Sequence, residues 1–95
     1  MPNYKLSKAA KEDLIRIHQY GVRKFGEPQA DQYFNQFFER FELIAERPLA
    51  FETIEFIKPG YRRCVCGVDS IFYRIENDTV EIMALIGRQD ISLIL

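Results

Sequence analysis

Nucleophilic catalysis needs a nucleophile with a base in reach. This sequence offers one histidine, His18, and two cysteines, Cys64 and Cys66. His18 falls in a helical stretch and the cysteines in a strand-like run, so a Cys–His couple requires a tertiary coincidence rather than a motif. At i and i+2 of a strand the two thiols point to one face without converging into relaxed disulfide geometry. They read as buried free thiols. Two thiols and one imidazole also fall short of a structural zinc site. Glu12-Asp13 and the pair Asp78 and Glu81 read as solvated helix and turn positions, with no spacing that raises them to a glycosidase or metal site. Glu39, Glu42 and Glu46 look like the wet side of one helix. Gly67 and Gly87 stand alone, so no glycine-rich phosphate loop is present. No cofactor and no metal are expected.

Arginine is what remains. Arg62, Arg63, Arg74 and Arg88 all lie on or beside the C-terminal strand segment, near Tyr61 and Tyr73. Guanidinium forks suit carboxylate or phosphate, so such a surface can grip an RNA backbone or an acidic protein segment. The plainer alternative is that they pair with Asp69, Glu76, Glu81 and Asp90. If both lie in the strand, Arg62 and Arg63 point to opposite faces and cannot serve one site.

These residues must be positioned by a chain of only 95 residues, enough for one domain with a single core. Hydrophobic residues make up 47% and charged residues 28%, a globular balance, and eight Phe with five Tyr supply the bulk a small core needs. The formal net charge of −1 argues against a protein that holds nucleic acid by phosphate neutralisation, so duplex DNA is a poor primary ligand. The charge is uneven along the chain: residues 1–25 carry +4, residues 26–56 carry −5, and residues 57–95 carry 0.

Asn3–Leu6 can form a short edge strand. Ser7 is a good N-cap for a helix from Lys8 to about Phe25, ended by Gly26. Its inward stripe is Ala10, Leu14, Ile17, Gly21 and Phe25. Pro28 fits the first turn of a second helix, which runs to about Glu46 before the Arg47-Pro48 stop. Its aromatic face holds Tyr33, Phe34, Phe37, Phe38 and Phe41. The short connection predicts an antiparallel hairpin, basic helix beside acidic helix. Glu52–Lys58 reads as irregular or weakly extended. Three strands follow: Tyr61–Cys66, a turn at Gly67-Val68-Asp69-Ser70, Ile71–Ile75, a turn at Glu76-Asn77-Asp78, and Val80–Ile86. In the last of these, Val80, Ile82, Ala84 and Ile86 share one face, with Met83 and Leu85 on the other. The class is α+β: an N-terminal strand, a helical hairpin, then a three-strand antiparallel segment with a short C-terminal tail, all in one domain spanning 1–95.

Two apolar features stand apart. Leu43 projects from the otherwise polar side of the second helix. Ile91-Ser92-Leu93-Ile94-Leu95 closes the sequence with four apolar residues and no charge; it either packs on the hairpin or presents an apolar surface to a partner. No stretch approaches the ~20 apolar residues of a membrane span and the N-terminus has no apolar signal core, so a cytoplasmic protein is expected.

The ordered combination of Tyr4-Lys5-Leu6-Ser7, Phe25-Gly26, Pro59-Gly60-Tyr61-Arg62-Arg63, Ile71-Phe72-Tyr73-Arg74 and Ile86-Gly87-Arg88-Gln89-Asp90 resembles the ParE toxins of bacterial type II toxin–antitoxin modules, within the RelE/ParE superfamily. The family fold, a helical hairpin against an antiparallel sheet, agrees with the order read above. The resemblance implies a cytoplasmic bacterial toxin that binds DNA gyrase, traps its cleavage complex and blocks replication. It also implies a ParD-like antitoxin that wraps the toxin in a hetero-oligomer by coupled folding and binding. Such a protein is a binder of one state of another enzyme rather than a catalyst. Within this resemblance Arg88, Gln89 and Asp90 are the gyrase-facing candidates, and Leu14, His18, Phe38, Leu43 and Arg74 the candidates for the antitoxin groove.

The competing class is the RelE-like branch, ribosome-dependent mRNA endonucleases. That chemistry needs a general base, a general acid and cations for the developing phosphorane charge. The sheet and tail contain Arg and Tyr but no His, and no Lys follows Lys58. A third class, an accessory binding domain without toxicity, has no positive sign in the sequence.

Overall fold

Ser7 starts the helical part of the chain as its residue type demands: its hydroxyl accepts the Ala10 amide at 3.0 Å and donates to the Met83 carbonyl at 2.9 Å, tying the cap to the sheet. In the computed structural model, which describes residues 3–87, the elements are β1 (Tyr4–Leu6), α1 (Lys8–Phe25), α2 (Glu27–Glu46), β2 (Glu52–Thr53), β3 (Tyr61–Cys66), β4 (Asp69–Glu76) and β5 (Thr79–Gly87). Both helices have the expected bounds. Gly26 joins them with φ +92°, a backbone that glycine alone adopts at little cost, and Pro28 sits in the first turn of α2.

The sheet has five strands in the order β1-β5-β4-β3-β2, with β1 parallel to β5 and the other pairs antiparallel. It is larger than the three-strand segment expected. The addition at one edge is β2, two exposed residues that pair with Arg62 and Arg63; so short a strand carries no period-2 signal. The hairpin covers one face of the sheet. Between them lie Leu14, Phe37, Phe41 and Ile44 from the helices and Cys64, Cys66, Ile71, Tyr73 and Leu85 from the strands, all buried. Both cysteines are free thiols, and burial pushes their pKa values up.

Three expectations are corrected. Asp69 and Ser70 begin β4 instead of completing a turn, so the β3–β4 loop is only Gly67-Val68. The shorter loop is possible because Gly67 takes φ +60°. The two-residue β4–β5 loop likewise places Asn77 and Asp78 at φ +50° and +63°, the left-handed pair that a type I′ hairpin requires.

The second correction concerns β5. Phe72 stands opposite Ala84 but Tyr73 opposite Ile82, which leaves Met83 as the extra residue of a bulge. The alternation flips there. Val80 and Ile82 face the helices, as does Leu85, while Ala84 and Ile86 turn to the far face and pack with Ile54, Tyr61 and Phe72. Third, Phe25 is 55% exposed rather than inward. Fifteen residues at 100° each carry it about 60° off the Ala10 direction, to the margin of the stripe.

Candidate functional site

Two surfaces deserve comparison: the far face of the sheet, where arginines gather, and an open groove under the tip of the hairpin. On the far face a line of side chains crosses the strands. Register aligns Lys5, Glu81, Arg74 and Tyr61. Arg74 Nε donates to the Glu81 carboxylate at 2.7 Å, Lys5 Nζ lies 3.3 Å from the same carboxylate, and Glu76 stands 3.8 Å from Arg74. The Arg74 hydrogen bond, with Lys5 behind it, holds the Glu81 carboxyl below the usual carboxylate range. Nearer the β2 edge, Arg63 Nε donates to Glu52 at 2.6 Å, and Arg62, on the helix-facing side, donates to the Phe51 carbonyl at 2.7 Å. The pairing with Glu76 and Glu81 is the one the sequence suggests. Among the described residues Asp69 has no arginine partner; Tyr33 donates to it at 2.8 Å. Each described arginine of the sheet is thus committed to a carboxylate or a carbonyl.

The groove, about 1040 Å³, runs between the outer halves of α1 and α2 and the β3–β4 turn. Tyr33 and Phe37 form part of its wall, and Tyr33 also fixes the turn: its hydroxyl is 2.8 Å from both the Cys66 carbonyl and the Asp69 carboxylate. Burial, then the hydrogen bond to Asp69, pushes the Tyr33 pKa up. Gly67 is required there for a second reason. A Cβ on it would come 2.5 Å from the Tyr33 ring. Around the opening, Tyr20, Phe25 and Val68 are half or more exposed, interspersed with Gln29, Gln32 and His18. Such a lining, largely apolar with scattered polar groups and the charged Arg16 and Asp69, suits an amphipathic protein segment.

Of the five antitoxin-groove candidates, the structure brings only His18 to this groove. Its Nε2 lies 2.7 Å from the Asp31 carboxylate and its ring meets the edge of Phe34 at 5.3 Å. Leu14 is a core residue at 5% exposure. Phe38 sits in the seam of the hairpin, 5.1 Å from Phe34 and 5.3 Å from Phe41 between ring centres. Leu43 is half-buried beside Gln36, Glu39 and Arg40 in a separate, shallower depression. Arg74 belongs to the far face. The gyrase-facing candidates Arg88, Gln89 and Asp90, and the apolar segment after them, lie outside the described residues. Sequence reasoning missed Tyr20, Tyr33 and Val68. Only Val68, an apolar residue in an otherwise polar turn, carried a local signal.

Among the described residues no group of three His, Cys, Asp or Glu converges on a metal position, and no helix is long and apolar enough to cross a membrane. Residues 4–91 match the family described as the ParE toxin of the type II toxin–antitoxin system parDE. The chain is 39% identical over 75 residues to toxin ParE1 of Caulobacter vibrioides, covering 79% of this chain and 78% of that protein. It is 29% identical over 87 residues to toxin ParE1 of Mycobacterium tuberculosis, covering 90% and 89%. Among solved structures, a chain of the chromosomal ParDE system from P. aeruginosa superposes with a TM-score of 0.81 at 18% identity, over 92% of this chain and 96% of that one. A chain of the M. tuberculosis RelBE2 toxin–antitoxin complex gives 0.61 at 19% identity, over 93% and 100%. The RelE/ParE fold is therefore shared across both branches, and the chain belongs to the ParE toxin family of type II toxin–antitoxin systems.

Proposed function

We propose that this toxin acts in the bacterial cytoplasm by binding DNA gyrase, trapping its cleavage complex and blocking replication, and that a ParD-like antitoxin neutralises it. The observation that carries the choice over RNA cleavage is the state of the sheet arginines. Arg74 is held by Glu81 and Glu76, and Arg63 by Glu52. A phosphoryl-cleaving surface needs cations aimed at the position where charge develops. Here the cations of the described sheet are aimed at the protein's own carboxylates or, for Arg62, at backbone carbonyls.

The open groove supports the antitoxin half of the reading. Its mixed lining can take the apolar face of a segment that folds on binding, with Tyr20 and Val68 as exposed contacts. Arg88, Gln89 and Asp90 remain the residues assigned to gyrase, on the resemblance of their motif. A poison of this kind works without a cofactor: it needs only greater affinity for the cleaved state of gyrase than for the resting one.

Supercoiling by purified gyrase, with and without this protein, tests the proposal. Inhibition with accumulation of protein-linked linear DNA is expected. Unimpeded supercoiling together with ribosome-dependent mRNA cleavage would replace it with the endonuclease reading.

A further inference from the structure

The wall of the groove holds a carboxylate that folding has almost closed off from water. Asp69 lines the groove, yet only 9% of the residue is exposed. Its Oδ2 accepts the Tyr33 hydroxyl at 2.8 Å, and among the described residues no other side chain bonds to it and no cation pairs with it. An ionised carboxylate offers about four acceptor sites, so one neutral hydroxyl leaves most of that capacity open. The basic groups around the groove are directed elsewhere. Arg16 lies against Asp13 and the Leu85 carbonyl, and His18 against Asp31. The backbone also holds Asp69 in place, since it pairs with Cys66 across the β3–β4 turn on one side and with Gly87 of β5 on the other.

We propose that Asp69 anchors one basic side chain, an arginine, of the antitoxin segment that occupies this groove; the inference rests on the antitoxin reading of the groove given above. Folding has already removed most of the water from Asp69, so a cation arriving there meets a carboxylate whose desolvation no longer counts against binding. In this poorly hydrated wall the attraction is stronger than that of a surface pair. Guanidinium suits the place better than ammonium. It is more weakly hydrated, its planar fork can use the carboxylate lone pairs that Tyr33 leaves open, and it tolerates an aromatic ring beside it. The same carboxylate selects against other occupants. A purely apolar segment strips its last water and gives no partner in return, and an acidic one is repelled. Val68 and Tyr20, exposed at the rim, are left to take the apolar residues of the segment. The arginine therefore sits within the apolar face of the segment rather than on its wet side.

Titration calorimetry of the purified full chain with its ParD-like antitoxin tests this, comparing the wild type with Asp69→Asn. Asparagine keeps the shape of the side chain and an acceptor for the Tyr33 hydroxyl. Antitoxin affinity should fall at least ~10-fold. The melting temperature of the free chain should hold or rise, because a buried charge without a cation has been removed. A merely structural role for Asp69 lowers both readouts together. On the antitoxin side, each Arg and Lys of the toxin-binding segment is changed to Gln in turn. One arginine should cost at least ~10-fold against the wild-type chain and less than ~3-fold against Asp69→Asn. Unchanged or tighter binding by Asp69→Asn, or an antitoxin scan with no such arginine, overturns the proposal. If Asp69→Asn loses its folded signal, the scan against the wild-type chain decides alone. A wild-type chain that binds no antitoxin sinks the groove reading and this inference together, whereas binding that ignores Asp69 sinks only the inference.

Discussion

The carboxylate of Asp13 accepts the backbone N–H of Leu85 at 3.0 Å, so a helix side chain closes a stretch of strand edge that β1 does not reach. β1 pairs with β5 only from Val80 to Ile82. Beyond it Ser7 takes over, its amide donating to Ile82 and its hydroxyl to Met83. Past the Met83 bulge, Asp13 receives the Leu85 amide, and Arg16, 3.2 Å from Asp13, reaches the Leu85 carbonyl at 3.4 Å. Three side chains at the start of α1 thus stand in for a missing strand and hold the end of β5.

Removing that acceptor has a defined cost. Asp13→Ala leaves the Leu85 amide without a partner in a half-buried place, which destabilises by about 1–3 kcal/mol. For a domain near this size each kcal/mol lowers the melting temperature by about 4–8 °C. Asp13→Asn keeps an acceptor oxygen and should lose less. Urea unfolding of the three proteins checks the order, and equal loss in both variants would show that charge, not the hydrogen bond, holds the edge.

The elements were legible where one residue type has one physical use. Ser7 before a basic amphipathic run, Gly26 followed by Pro28, and Asn77-Asp78 between strands each announce a helix start, a hairpin and a turn through their own backbone chemistry. The Met83 bulge was not legible, because both faces of β5 are apolar and a one-residue slip changes no pattern in the sequence. The groove was hidden for another reason. Tyr20, Tyr33 and Val68 share no period and meet only when the β3–β4 turn docks under the hairpin. Leu14 and Phe38 lie elsewhere, in the core and in the hairpin seam; an apolar residue on a helix looks the same whether the next layer is sheet or partner.

The turn beneath Tyr33 can be tested by coupling. Gly67→Ala adds a Cβ at φ +60° and presses it against the Tyr33 ring. The backbone strain and the clash together should cost about 2–3 kcal/mol. In a Tyr33→Ala background only the strain remains, so the same substitution should cost at least ~1 kcal/mol less. A double-mutant cycle by urea unfolding that returned strict additivity would separate Gly67 from Tyr33 and leave the turn to be held by its strands alone.

Stability should fall on the alkaline side. Tyr73 is fully buried with its hydroxyl donating to the Pro48 carbonyl at 2.6 Å. Burial pushes its pKa from 10.0 up to about 12. A folded-state pKa above the unfolded one means that the folded chain holds the proton more tightly, so this contribution is complete below about pH 10 and is lost as pH rises toward 12. Tyr33 acts in the same direction. Denaturant midpoints measured across that window should decline, and Tyr73→Phe should flatten the decline while lowering stability at neutral pH through the lost hydrogen bond.

Two functions on one small domain should come apart by mutation. On the proposed reading, gyrase is met by the segment containing Arg88 and the antitoxin by the groove, so a change in either place should spare the other. Arg88→Ala removes a fork suited to carboxylate or phosphate, and is expected to reduce gyrase inhibition at least ~10-fold while leaving antitoxin affinity within about 2-fold. Val68→Arg acts in the opposite sense. Val68 is 70% exposed at the tip of the β3–β4 turn, so the substitution costs the fold little, yet it puts a charge where an apolar contact is expected. It should weaken antitoxin capture and leave supercoiling inhibition intact. The two variants measured side by side, by titration calorimetry with the antitoxin and by the gyrase assay, give a crossed pattern if the surfaces are separate. Parallel loss in both assays, with unchanged unfolding midpoints, would mean that toxin target and antitoxin compete for one surface.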